Sequence, residues 1–295
     1  MKKQIWFGIF GVVMVTLACT FGAGTPTTQP QVDEVGTAVA GTMQALTAAA
    51  PPTESLPTQP SGTPVSFENA SFVIPIGLAS GANSESIPAV GENDGAPWDV
   101  APAHLEFTLT SYQLQDKFHQ PKIYIYPAGE FQQVSPTVGE QIARVMNALR
   151  GAPLSKDTMP GIPFFNAGQV FAAQIQIIHF KNGSGVRLLT EYAQSFATIN
   201  NRDLFYHFQG LTEDGKYYII VILPVTAPML ASDEDPESSI PPDGVPFPGY
   251  DDPNADFNAY YAAITEKLNA AGADSFQPSL NQLDVLIQSI LVTNP

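Results

Sequence analysis

Between residues 169 and 226, apolar and polar positions alternate in short runs separated by turn residues. Within 172–180, Gln174 and Gln176 alternate with Ile175 and Ile177, the two-residue period of a half-buried strand. Lys181-Asn182-Gly183-Ser184-Gly185 predicts a hairpin turn, because Asn-Gly tolerates positive φ, and 186–194 is the return strand. A polar corner at 200–203 precedes a third strand over 204–209. Glu213-Asp214-Gly215 then turns the chain into a fourth, 216–223. That last run is apolar on both faces and reads as a central strand covered on both sides. Pro224 has no N–H to donate, so pairing fades there.

The same reading extends along the chain. A strand is expected over 66–76 on Phe67, Phe72, Val73 and Ile74, then a long polar loop over 79–103. Residues 105–110 alternate, and 122–126 form a strand closed by Pro127. A helix over 138–150 carries Ile142, Val145, Met146 and Leu149 on one face and stops at Gly151. Residues 154–167 are a Pro- and Gly-punctuated connector. Two helices close the chain. The first, over 256–271, places Phe257, Tyr260, Tyr261, Ile264 and Leu268 on one side. The second, over 280–292, carries Leu283, Leu286, Ile287 and Ile290, with Ser279 as N-cap. This order predicts an α+β fold, a mainly antiparallel β-sheet with helices packed on it, in one globular domain over 65–295. Between sheet and helices lies an acidic, proline-rich loop, 228–255, without a basic residue. Loops of that length in a compact domain are functional or disordered. Its carboxylates repel one another, so mobility is expected unless something binds it.

The N-terminus has a different pattern. Lys2-Lys3 precedes an apolar run from Ile5 to Leu17, too short for a comfortable membrane span and read as a signal peptide over 1–18. Cys19, the only cysteine, follows a small residue at the end of that run. The arrangement resembles the lipobox of bacterial lipoproteins, with Thr16 where that family prefers Leu. The resemblance implies that Cys19 is lipidated and becomes the first mature residue, anchored on the extracytoplasmic side of a bacterial cell membrane. A lone cysteine excludes an intrachain disulfide, so stability has to come from packing. Residues 19–64 read as a Thr/Pro/Ala-rich tether. Within it, Val32, Val35, Val39, Met43 and Leu46 mark one face of a helix over 31–50. That helix reads either as a self-associating or membrane-proximal element, or as a transient one weakened by Gly36 and Gly41. Loss of Lys2 and Lys3 takes the 12 basic residues to 10 against 28 acidic ones, a formal charge of −18. That charge argues against nucleic acid and against an anionic lipid surface as partners.

The motifs that carry common chemistry are missing from the sequence. There is no Gly-x-Ser-x-Gly, no His-Glu-x-x-His, no cysteine pair and no Gly-rich phosphate loop, and no cofactor is expected. Of the four histidines, His179 and His207 fall on strands expected to be close. With Glu191 they are the candidates for an acid–base or metal cluster. The plainer reading is a pair of strand histidines with ordinary hydrogen-bond partners. Asp252, Asn254 and Asp256 alternate as early calcium-loop ligands do. Phe257 stands where such a loop has glycine, and Ala263 where it has its closing carboxylate, so a solvated acidic surface is the other reading. Phe205, Tyr206, Phe208, Tyr217 and Tyr218 either line a carbohydrate or peptide groove or pack between the sheet and its helices.

Three longer stretches carry a further resemblance. They are Pro121-Lys122-Ile123-Tyr124-Ile125-Tyr126-Pro127, the run from Gly185 to Gln194, and the run from Phe205 to Gly215. With Pro97 to Pro102 they resemble an uncharacterised group of bacterial lipoproteins. Phe276-Gln277-Pro278 followed by Leu283 to Ile290 resembles the last helix of PsbP-like α/β/α sandwich domains. These likenesses imply an antiparallel sheet with helices on its faces and a non-enzymatic accessory role. The expectation is a lipid-anchored extracytoplasmic binding or accessory module for a protein, peptide or glycan. Its rival is an envelope hydrolase with an atypical site built from Glu191, His179 and His207.

Overall fold

In β4 (His104–Thr110) every second residue is buried, so one face carrying Leu105, Phe107 and Leu109 is committed to a core. The computed structural model describes residues 61–294. It sets β4 in a seven-stranded sheet with β3 (Gly81–Ile87) outside it and β5 (Lys122–Pro127) inside. The order continues with β11 (Tyr217–Pro224), β10 (Phe205–Thr212), β8 (Gly183–Thr190) and β7 (Ala173–Phe180). Every neighbouring pair is antiparallel. The expected four consecutive strands are therefore adjacent in space. β11, the run without a polar face, is the middle strand and is buried from Tyr218 to Pro224.

Two layers cover this sheet. On one face α1 (Ala128–Val134) and α2 (Pro136–Leu149) set Phe131, Val138, Ile142 and Val145 against Tyr126, Tyr218 and Ile220. The connector after α2 extends that layer, with Ile162 against Phe205 and Ile222. On the other face lies the largest core. It gathers Phe107, Ile219, Val221, Tyr206 and Phe208 beneath α3 (Phe257–Ala270) and α4 (Leu280–Gln288). A small sheet of β1 (Gly62–Phe67), β2 (Ala70–Pro75) and β12 (Leu291–Val292) completes this layer, and Phe72 meets Phe107 edge-on at 5.2 Å. A two-stranded ribbon, β6 (Gly168–Gln169) with β9 (Tyr192–Ala193), stands apart from both sheets. The fold is α+β, an antiparallel sheet with helices packed on it.

Several local expectations need correction. The single strand over 66–76 is a hairpin, turning at Glu68-Asn69, and its first strand begins at Gly62. The polar loop over 79–103 contains β3, an edge strand whose Ser and Glu residues face water while its backbone pairs with β4. The final helix stops at Gln288 rather than 292. The Ser289 hydroxyl accepts from Val73 N–H at 2.8 Å, and the chain runs on into β12 beside β2. The β7–β8 hairpin turns on Lys181-Asn182 alone, with Phe180 paired to Gly183. Gly185 is a strand residue for a packing reason. It pairs with Gly210 under the Phe208 ring, and a Cβ there would lie 2.3 Å from Gln209 O and 2.5 Å from Phe208 Cζ. The signal peptide, Cys19, the tether up to residue 60 and its helix over 31–50 lie outside the described residues, while residues 62–64, expected in the tether, belong to β1.

One polar cluster sits inside the larger core. Arg187 on β8 is 3% exposed and faces Asp284 on α4, Nη2 to Oδ2 at 3.2 Å. Tyr206 on β10 donates its hydroxyl to the other carboxylate oxygen at 2.8 Å. Arg187 also donates to Gln174 O at 2.8 Å and to Gln176 Oε1 at 2.5 Å, both on β7. Gln174 sits in the left-handed region, φ 53°, where β7 slips register against β8. Its amide reaches the end of α3, donating to Leu268 O at 2.7 Å and Ala271 O at 2.9 Å. Burial pushes the Asp284 carboxyl above its ordinary range, while Arg187 and Tyr206 pull it back.

Asp284→Ala should therefore cost about 3–5 kcal/mol, because it leaves a buried guanidinium without a counter-charge. The double replacement Arg187→Met with Asp284→Leu should recover most of that loss. Denaturant unfolding of Arg187→Met, Asp284→Leu and the double checks it, and additive losses would show that the pair is not coupled.

Candidate functional site

The outer stripe of α3 is built from Asn258, Tyr261, Ala262, Thr265, Glu266 and Asn269, spaced three and four residues apart. It cannot face the core, because Tyr260, Ile264 and Leu268 already do. It forms one wall of a groove. The opposite wall is the chain entering and leaving the β6–β9 ribbon, with Gly168 to Ala172 on one side and Ala193 to Phe196 on the other. Two adjoining clefts of ≈ 620 and ≈ 490 Å³ share Lys156, Val170, Asn258 and Tyr261 along this line.

Hydrogen bonds fix the walls to one another. The Tyr261 hydroxyl accepts from Ala197 N–H at 2.8 Å, and Tyr260 accepts from Ile199 N–H at 3.0 Å. Burial raises both phenols above their ordinary range, Tyr260 to about 12. Val170 N–H donates to Glu191 O at 3.0 Å, and Gln194 donates to Asn166 O at 3.0 Å. At one end of the groove, Phe196 lies flat on Phe257, ring centres 4.4 Å apart and planes 9° apart, yet is 50% exposed. Tyr250, 60% exposed, donates its hydroxyl to Phe196 O at 3.0 Å. In the smaller cleft, Gln169 Nε2 is shielded from solvent and has no hydrogen-bond partner.

No hydrogen bond joins any two of the three residues singled out for catalysis. His179 is exposed on β7 and pairs with Ser184 Oγ at 2.7 Å. The register sets it in the row of Ser184 and Leu211, four residues along β10 from His207, about 14 Å at 3.4 Å per residue. His207 is fully buried. The Gln209 amide donates to its Nε2 at 2.8 Å, so Nδ1 carries the proton and donates to Val221 O at 3.3 Å. Burial drives its pKa down to about 3. Gln209 in turn accepts the Tyr218 hydroxyl and donates to Gly161 O at 2.7 Å, tying the connector to the sheet. Glu191 is buried at the end of β8 and accepts from Asn200 N–H at 2.8 Å. Burial pushes its carboxyl well above the usual range.

The remaining candidates have structural partners. Asp252 Oδ1 accepts from Asn254 N–H at 2.8 Å in a local turn, and Asp256 caps α3 by accepting from Ala259 N–H at 2.9 Å. The acidic loop is docked rather than loose. Leu230 and Ala231 are buried, Phe247 meets Tyr260 edge-on at 5.4 Å, and Arg202 pairs with Glu234 from outside the loop. Phe205, Tyr206, Phe208 and Tyr218 pack within the covered sheet, and Tyr217 is half-buried at its edge. Another cleft, ≈ 600 Å³, opens beside His104 between Glu68 and Glu130. His104 lies there on the Tyr126 ring and donates to Pro102 O at 2.9 Å. Among the described residues, no group of three metal-ligating side chains converges.

The groove residues escaped the sequence reading for a simple reason. The core stripe of α3 is legible, and Tyr261, expected on it, does pack against the core at the border of the groove. The stripe at 258, 262, 265, 266 and 269 carries no charge pattern or motif and reads as plain solvent face. Only an aromatic at its border marks it. Compared with protein-family models, curated proteins and solved structures, the chain finds no match.

Three groups, two histidines and a carboxyl, set opposite pH limits on the domain. His207 and the half-buried His119, held down to about 4 by burial against Phe165 and Phe205, take up protons only on unfolding. Stability is then lost as pH falls below the ordinary histidine value of 6.5. Glu191 has the opposite sign: its folded carboxyl holds its proton, so its unfavourable contribution grows as pH rises above 4.5. His119→Phe, which keeps the ring stack, should flatten the acid limb of a plot of Tm against pH. Glu191→Gln should raise Tm at neutral pH. Curves that run parallel to the parent's would contradict both assignments.

Proposed function

We propose that the protein is a lipid-anchored extracytoplasmic binding module whose ligand lies in the groove between α3 and the β6–β9 ribbon. The single observation behind the reading is the groove itself. There, among the described residues, exposed aromatic rings, side-chain amides and a concave surface coincide on a hydrogen-bonded frame. Binding sites are concave, largely preformed, and combine apolar surface with a few placed polar groups. Cys19 at the end of a short apolar run supplies the anchor, and the Thr/Pro/Ala-rich stretch between it and β1 is the tether. No helix among the described residues is long and apolar enough to cross a membrane. The net charge of −16, and −18 after processing, keeps such a domain away from an anionic surface.

The anchor is tested by replacing Cys19 with Ser. Lipid labelling should disappear, and the protein should leave the membrane fraction or remain unprocessed. Retention and processing identical to the parent would refute the anchor. The groove is tested with Ala262→Trp, a bulky side chain on an exposed position of α3. The full chain in detergent should co-sediment with isolated cell-wall material, and the Trp variant should not. Equal sedimentation at unchanged Tm would place the ligand elsewhere.

A further inference from the structure

We infer that the groove takes an uncharged oligosaccharide, a reading that rests on the groove being the binding site. Charge is the first reason. In a chain with 28 acidic residues and a net charge of −16, the groove is lined by one cation, Lys156, and one anion, Glu266. Among the described residues neither forms an ion pair. An anionic polymer would meet the repulsion of the whole domain with a single lysine to offset it. A cationic one would find a single glutamate. A ligand without charge meets neither obstacle.

The second reason is the kind of groups on offer. The walls present the side-chain amides of Asn258 and Asn269, that of Gln194 with its NH₂ already given to Asn166 O, and the hydroxyls of Ser195 and Thr265. Amides both donate and accept, which suits a ligand covered in hydroxyls that do the same. Asn269 is partly committed, since its Oδ1 accepts from Gln174 N–H at 2.6 Å, and it offers its NH₂.

The third reason is the platform. Phe257 takes one face of Phe196, and the exposed half of Phe196 belongs to the other face and the edge. Tyr250 is fastened to the same backbone, and Tyr261 lies 6.3 Å from Phe196 at a tilt of 32°. Rings held this way present a flat, electron-rich surface to the C–H face of a pyranose, at little entropic cost because they are already ordered. The stripe from Asn258 to Asn269 runs eleven residues along α3, about 16 Å at 1.5 Å per residue, which is room for a short chain of sugars rather than one. An extended peptide is the weaker fit. Peptides that lie along a protein surface add to an open strand edge, and this groove is walled by side chains and a two-residue ribbon.

The test is calorimetric titration of the full chain in detergent with cellohexaose, chitohexaose and maltohexaose. An oligogalacturonate of equal length and an uncharged Gly/Ser hexapeptide serve as comparisons. At least one neutral hexasaccharide should bind with a Kd at or below millimolar. Affinity should fall about tenfold or more in Phe196→Ala and be lost in Ala262→Trp, both at unchanged Tm. Sugar binding that survives both substitutions would overturn the inference. So would the absence of sugar binding together with groove-dependent binding of the peptide or the galacturonate, and in that case the groove would stand as the binding site. If none of the five probes binds and Ala262→Trp leaves cell-wall sedimentation unchanged, both the inference and the reading beneath it fail.

Discussion

A guanidinium taken out of water constrains the arrangement of everything around it. Arg187 stands on an otherwise apolar face, between Gly185 and Leu189 along its strand and beside Phe208 across the ladder. A buried charge is tolerated only if it is paired and hydrogen-bonded. Asp284, itself held by the Tyr206 hydroxyl, supplies the pairing from α4, and Gln174 and Gln176 on β7 accept from the guanidinium. Meeting those bonds requires the register slip in β7. The slip sets Gln174 where it closes the end of α3. One charge thus couples both C-terminal helices to the sheet, and α3 is the helix whose outer stripe forms the groove.

Polar burial has a second role on the opposite face. The chain of Tyr218, Gln209, His207 and Gly161 has the connector after α2 pinned to the two central strands. Each member has a partner, which is the condition under which a buried polar network adds specificity rather than cost. That connector continues to Gly168 and the β6–β9 ribbon. The two walls of the groove therefore descend from separate networks on separate faces of the same sheet. The Tyr260 and Tyr261 hydroxyls bridge them at Ile199 and Ala197.

The legible parts of the sequence were those where one physical effect dominates. Period-two alternation marked β7, turn residues delimited the three strands after it, and β11 was identified as central because a run without a polar face has to be covered twice. Period 3.6 gave α2, α3 and α4. What stayed hidden depended on partners distant in sequence. β3 has one large apolar residue, Ile87, and exists because β4 offers it a backbone ladder. Gly185 read as a turn because its actual cause, the Phe208 ring across the sheet, is more than twenty residues away. The clue to the buried pair was present: Asp284 falls in the same helical stripe as Leu280, Leu283 and Ile287. A lone carboxylate on an apolar face calls for a buried partner, though not for Arg187 in particular. The site was the least legible part, since its residues combine an α3 surface stripe with loops more than sixty residues upstream.

The central claim is that the Arg187 cluster makes sheet and C-terminal helices one cooperative unit that holds the groove in shape. Native-state hydrogen exchange reads this directly. The account predicts that amides in β8, β10, α3 and α4 exchange only through a common opening with the free energy of global unfolding. Exchange of α3 and α4 through a separate opening of lower energy, while β8 and β10 stay protected, would contradict it.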